Sequence, residues 1–145
     1  FCRGIQFDDL HWERQPYKTF KVYGHAKLAN ILFTAELARR LRSTKLTVNC
    51  LHPGAVATGM GKNNKGLASK IMPTLLKPFF RTPQRGAETA VYLSANQDVT
   101  GCSGGYYVDK KLVAPKAWAR DESEAARLWS VSEALTRFQY PAQVN

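Results

Sequence analysis

A chain of 145 residues suits one domain and is long enough to bury a core. Cys2, Cys50 and Cys102 are widely spaced and form no CxxC or Cys/His cluster, so reduced, packed thiols are expected and a metal site is not. The net charge is +10, yet no apolar run approaches the roughly 18 residues of a membrane span.

Residues 1–16 read as a loop of turn residues and mixed charge. From Tyr17 to Arg42 the pattern is helical. Leu28, Ile31, Leu32 and Ala35 make one apolar stripe; Ala26, Ala29, Phe33, Leu37 and Leu41 make another. Two stripes predict burial on two sides. The polar strip left between them runs Tyr23, Lys27, Asn30, Thr34. Tyr23 and Lys27 are four apart, so on a helix they point the same way and can act on one substrate. A phenol can give or take a proton at a carbonyl or alcohol, and an ammonium beside it favours the phenolate form.

Leu46-Thr47-Val48-Asn49-Cys50-Leu51 predicts a short strand, stopped by His52-Pro53-Gly54. A helix followed by such a strand is an α/β signature. Residues 55–66 read as loop. Leu67 to Phe80 is amphipathic, with Ile71, Leu75 and Phe79 recurring every four residues, and is broken by Pro73 and Pro78. Thr82 and Pro83 open a helix that runs to about Ser94, the threonine as cap and the proline in the first turn. Residues 98–105 are turn-rich. Tyr106-Tyr107-Val108 predicts a last strand, and Asp121 caps a final helix over about 122–136 with Ala125, Leu128, Trp129 and Leu135 on its inner face.

The charge is uneven. Between Glu36 and Glu88 there is no acidic residue, while Arg39, Arg40, Arg42, Lys45, Lys62, Lys65, Lys70, Lys77, Arg81 and Arg85 are all basic. Such a region can meet nucleic acid, anionic lipid or a phosphate-bearing cofactor. Lys/Arg runs with interleaved aromatics, zinc fingers and RNA-recognition or helix-turn-helix signatures are missing, which argues against nucleic acid.

The order of a YxxxK helix, a strand and Pro53-Gly54-Ala55-Val56-Ala57-Thr58 resembles the short-chain dehydrogenase/reductase family. The wording of Lys27–Thr34, Glu36–Leu41, Val48–Gly54, Lys77–Ala87 and Ala125–Glu133 is similar to its retinol dehydrogenase branch, and the likeness runs from about Gly4 to Phe138. The resemblance implies an α/β fold, the C-terminal part of a Rossmann-type doubly wound parallel sheet. It implies an NAD(P)(H)-dependent oxidoreductase of lipophilic, retinol-like alcohols and the matching aldehydes or ketones, with NADP favoured over NAD. By the same carry-over Tyr23 is the acid/base, Lys27 assists it and holds the nicotinamide ribose, and Pro53, Gly54, Val56 and Thr58 line the nicotinamide. Proline and glycine at the carboxyl end of a strand suit that role, because ligands of open α/β sheets sit there. His25 and His52 receive no role.

The family's glycine-rich turn and its serine about a dozen residues before the tyrosine have no counterpart in this sequence. Residues 1–145 are therefore expected to be the C-terminal half of such a domain, with any targeting segment upstream and a location in the cytoplasm or on the cytosolic face of a membrane. Residues 59–82 are expected to form a substrate lid: Gly59, Gly61 and Gly66 permit movement, and the basic amphipathic stretch can cover a greasy substrate or rest on an anionic membrane surface. A packed connecting helix is the plainer reading of the same residues. Homo-oligomer contact is expected through the 17–42 helix. Two other readings stay open: an inert truncated product that docks on a partner subunit, and a basic membrane-surface binding domain.

Overall fold

The computed structural model describes residues 3–56 and 80–140. The chain divides into two compact units. The first gathers Phe1–Cys50, Thr100–Tyr106 and Val113–Asn145; the second gathers Leu51–Val99 and Tyr107–Leu112.

The first unit is built on two helices, α1 (Thr19–Arg40) and, near the C-terminus, α3 (Glu122–Thr136). They pack on each other. Ile5, Leu28, Leu32, Ala119 and Ala125 form the core, with Phe7, Leu10, Ala29, Ile31, Trp118 and Leu128 packed around it. The expected first stripe of α1 holds at Leu28, Ile31 and Leu32, but Ala35 is exposed. The second stripe is less regular. Ala26 is exposed, and Phe33 keeps an open edge while its ring stacks on Trp129 at 5.4 Å. Leu135 is exposed too, so the inner face of α3 is Ala125, Leu128 and Trp129. Asp121 caps α3 as expected, accepting from Ser123 N at 2.9 Å and Glu124 N at 3.1 Å.

Three polar residues of α1, His25, Thr34 and Glu36, are buried where a stripe reading predicts none. Thr34 donates its hydroxyl to the Asn30 carbonyl at 2.9 Å, which satisfies it inside its own helix. Glu36 is 2% exposed and accepts from Arg39 Nε and Nη2 and from Arg40 Nε, each at 2.7 Å. A buried carboxylate is tolerable when its charge and lone pairs are met this way.

The strand after α1 is β1 (Cys50–His52), shorter and later than the predicted 46–51. The backbone before it is held by side chains as well as by one backbone bond, Gly104 N donating to Val48 O at 2.7 Å. Val48 N donates to Ser103 Oγ at 3.0 Å, Asn49 Nδ2 donates to Cys102 O at 2.8 Å, and Gly105 N donates to Asn49 Oδ1 at 2.9 Å. Asn49 thus stands in for a stretch of backbone partner and delays the ladder to Cys50, whose N–H donates to Gly105 O at 2.9 Å.

The second unit holds α2 (Pro83–Ala95) and most of a three-stranded sheet, order β1-β2-β3, with β2 at Tyr106–Val108 and β3 at Lys111–Leu112. Thr82 caps α2, its Oγ1 accepting from Arg85 N at 3.2 Å, and Pro83 takes the first turn. Strands β2 and β3 pair antiparallel, Tyr107 opposite Leu112 and Val108 opposite Lys111. Their turn, Asp109-Lys110, has φ of 50° and 64°. Two left-handed residues make the turn that suits a two-residue hairpin, a place usually given to Asn-Gly. Here neighbours hold it: Lys110 N donates to Thr89 Oγ1 at 3.3 Å, Lys110 Nζ pairs with Glu88 at 2.9 Å, and Asp109 pairs with Arg81.

Candidate functional site

The sequence-predicted site residues fall in both units. Tyr23 and Lys27 lie in the first, on α1; Pro53, Gly54 and Val56 lie in the second, after β1; Thr58 is outside the described residues, as are residues 59–79 of the expected lid.

Tyr23 and Lys27 meet as their spacing requires, with the Lys27 ammonium 5.3 Å from the centre of the Tyr23 ring. Both side chains are exposed, Tyr23 to 48%. The backbone beneath them is fixed from the other side. His25, between the two in sequence, is buried and meets Trp12 edge to face at 5.2 Å, and Lys21 covers the same indole at 5.0 Å. Trp12 adopts φ 57°, an uncommon conformation for a bulky residue. The Asp9 carboxylate secures the next two residues, accepting from Glu13 N at 2.8 Å and Arg14 N at 3.2 Å. Burial lowers the His25 pKa below the usual histidine value, Lys21 pushes it the same way, and Glu124 opposes them. His25 is therefore a packed side chain whose charged form is disfavoured by its surroundings.

The Pro53-Gly54 turn is held by three groups that sequence reasoning passed over. Gly54 has φ 79°, the left-handed region where glycine is at home. A Cβ there would sit 2.5 Å from Arg81 Nε and 2.7 Å from Arg81 Cζ, so the guanidinium lies against the glycine. The guanidinium is forked onto the Asp109 carboxylate; Nη2 donates to Oδ2 at 3.0 Å, beside a shorter Nη1–Oδ1 bond. Arg81 holds the Asp109 carboxyl below the usual range, burial opposes this, and Arg85 and His52 add to the lowering. The third group is His52, whose Nδ1 accepts from Gly54 N at 2.8 Å. Next along the chain, Arg81 N donates to Ala55 O at 2.7 Å, and Val56 bridges Arg81 in parallel. Val56 packs on Gly86 of α2, where a Cβ would come within 2.6 Å of the valine methyl. Asp109 is 28 residues from Arg81, so no local spacing announces the pair.

Comparison with known proteins bears on the same residues. The short chain dehydrogenase family model matches residues 12–66, which take in Tyr23, Lys27 and the Pro53-Gly54 turn. Human retinol dehydrogenase 14 is 45% identical over 139 residues, covering 90% of this chain and 39% of that protein. Over nine tenths of its length the chain is similar to retinol dehydrogenases of the short-chain dehydrogenase family. Human retinol dehydrogenase 13 is 38% identical over 142 residues, covering 95% of this chain and 43% of that protein. The chain thus spans about two fifths of the length of these curated relatives. A solved structure of an uncharacterized protein from Mycobacterium paratuberculosis superposes with a TM-score of 0.67 at 29% identity, over 94% of this chain and 46% of that one. The fold is α/β, part of a Rossmann-type arrangement, as the resemblance implied.

Proposed function

We propose that this chain carries the proton-transfer and nicotinamide-side parts of an NAD(P)(H)-dependent oxidoreductase that interconverts lipophilic alcohols and their aldehydes or ketones. Residues 1–145 are then the C-terminal half of the catalytic domain. The observation that carries the reading is the exposed Tyr23–Lys27 pair, its ammonium 5.3 Å from the phenol ring on a helix anchored in the core through Leu28 and Leu32. The retinol dehydrogenase names of the relatives support a lipophilic, retinol-like substrate.

In this reading the Tyr23 oxygen takes the hydroxyl proton when an alcohol is oxidised and returns one to the carbonyl oxygen when an aldehyde or ketone is reduced. Lys27, its ammonium beside the phenol ring, binds ribose hydroxyls. Bound NAD(P) supplies the hydride acceptor or donor. The residues present fit such a group. The pair offers an exposed hydroxyl and ammonium, and the turn after β1 stands at the carboxyl end of a strand, where ligands of open α/β sheets sit. Pro53, Gly54, Val56 and Thr58 line the nicotinamide, and NADP is the favoured dinucleotide. Of the expected lid, 59–82, residues 59–79 cover the substrate and touch an anionic membrane surface on its cytosolic side, while Arg81 and Thr82 belong to the turn and to the α2 cap. Phe20 on α1 and Tyr17 just before it, 81% and 69% exposed, offer an apolar surface for contact with a second copy.

The test is Tyr23→Phe in the full natural chain. Turnover of retinol-like alcohols is expected to vanish while dinucleotide affinity stays within about twofold, since only the proton-bearing oxygen is removed. Near-normal turnover in this variant would overturn the assignment.

A further inference from the structure

Resting on that reading, we propose that Arg81, Asp109 and His52 are positioning residues for the Pro53-Gly54 turn, a set that fixes the backbone against which the nicotinamide end of the dinucleotide lies. All three belong with the turn to the second unit. A backbone that must meet a flat ring gains from being set before the ligand arrives, because ordering it afterwards costs affinity and orientation.

The set acts from two sides. The His52 imidazole takes the Gly54 N–H at 2.8 Å and so closes the turn on its own strand. The Arg81 side chain fills the space where a Gly54 Cβ would stand, and Arg81 N donates to the Ala55 carbonyl at 2.7 Å. Arg81 is itself aimed by Asp109, and Asp109 by a hairpin turn in an uncommon conformation. Such turns persist only where their surroundings over-determine them. Here Lys110 supplies that restraint by joining the turn to Thr89 and Glu88 of α2. The line from α2 through the hairpin to Arg81 and Gly54 is continuous, and its members come from four separate stretches of chain. A planar guanidinium is suited to it, since one face can lie on a glycine while the edge forks onto a carboxylate.

The test uses the full natural chain with two ligands, NADPH and 2′-phospho-ADP-ribose, which lacks the nicotinamide. The variants are Arg81→Ala, Asp109→Asn, His52→Leu and His52→Asn. Asp109→Asn keeps a side chain that tolerates the left-handed turn, so it guards against misfolding. His52→Asn keeps an acceptor at about the Nδ1 position. Arg81→Ala, Asp109→Asn and His52→Leu are expected to weaken NADPH binding by about tenfold and slow turnover by about 10- to 100-fold, with 2′-phospho-ADP-ribose affinity unchanged. His52→Asn is expected to recover most of the loss. If the unsubstituted chain binds neither ligand, the oxidoreductase reading fails, and the proposal with it. If it binds both but the variants hold NADPH normally, or lose both ligands in parallel, the positioning role fails while the oxidoreductase reading stands.

Discussion

Gly54→Ala tests the turn most directly, because two different effects of the added methyl can be separated. The first is backbone strain. At φ 79° an L-residue pays about 1–2 kcal/mol relative to glycine. The second is collision, since the new Cβ would lie 2.5 Å from Arg81 Nε, 2.7 Å from Cζ and 2.8 Å from Cδ. These atoms are mid-chain, held by the fork to Asp109, so the whole side chain must move. Overpacking of this kind costs about 1–3 kcal/mol in tight sites, and this half-buried turn belongs at the low end. Gly101 provides the control: its φ is 77° and no atom lies within 4 Å of its ideal Cβ. Gly101→Ala should therefore carry strain alone, about 1–2 kcal/mol, and Gly54→Ala about 2–3 kcal/mol. The assay is urea unfolding of the full natural chain, with an Arg81→Ala background completing a double-mutant cycle. On that background the excess of Gly54→Ala over Gly101→Ala should disappear. Equal losses for the two alanines in the unsubstituted background would refute the packing of Arg81 on the turn.

Three further outcomes follow from the first unit. Glu36→Gln should cost about 1–3 kcal/mol near neutral pH, because hydrogen bonds from Arg39 and Arg40 hold its carboxyl below the usual range. That contribution is present above the unfolded carboxyl value and is lost as pH falls through the lower folded one, so the urea midpoints of variant and parent should converge on acidification. His25→Phe keeps an aromatic edge on Trp12 and removes a group whose folded pKa is depressed by burial; the parent should lose stability as pH falls from 7 toward 5, and the variant should lose less. Trp129→Ala should cost about 3–5 kcal/mol in the same assay, since the indole stacks on Phe33 at 5.4 Å, meets Tyr140 at 5.3 Å and lies 4.5 Å from the Arg40 guanidinium.

What the sequence disclosed was local. The caps at Thr82 and Asp121, the helices they open, and the i,i+4 meeting of Tyr23 with Lys27 all depend on residues within one or two turns. Periodicity misjudged α1 where polar residues are buried through equally local devices. Thr34 bonds back to Asn30, and Glu36 is wrapped by its own arginines, so neither breaks the core although both break the stripe. The strand was placed four residues early because β-branched composition cannot show that Asn49 would bond through its side chain. The β2–β3 hairpin was missed for a related reason. Asp-Lys is a poor turn sequence by itself and is made adequate by Arg81, Thr89 and Glu88, which lie 20 or more residues away.

The same contrast separates chemistry from support within the candidate site. Tyr23 is exposed, and its described ring contact is with Lys27, so removing its oxygen should change a reaction and leave the fold nearly untouched. His25, two residues on, has the opposite character: it is buried against Trp12, and on the proposed reading it bears on the reaction only by fixing the helix backbone between Tyr23 and Lys27. A helix can present a reactive pair at a defined angle only if its remaining faces are spoken for, because a free helix would rotate and fray. Leu28 and Leu32 in the core, with Phe33 on Trp129, meet that need a turn or two farther along. The two kinds of residue can be told apart by experiment. Substitutions at Tyr23 should move turnover at constant unfolding midpoint, and substitutions at His25 should move the midpoint first, with turnover following only as the helix loosens.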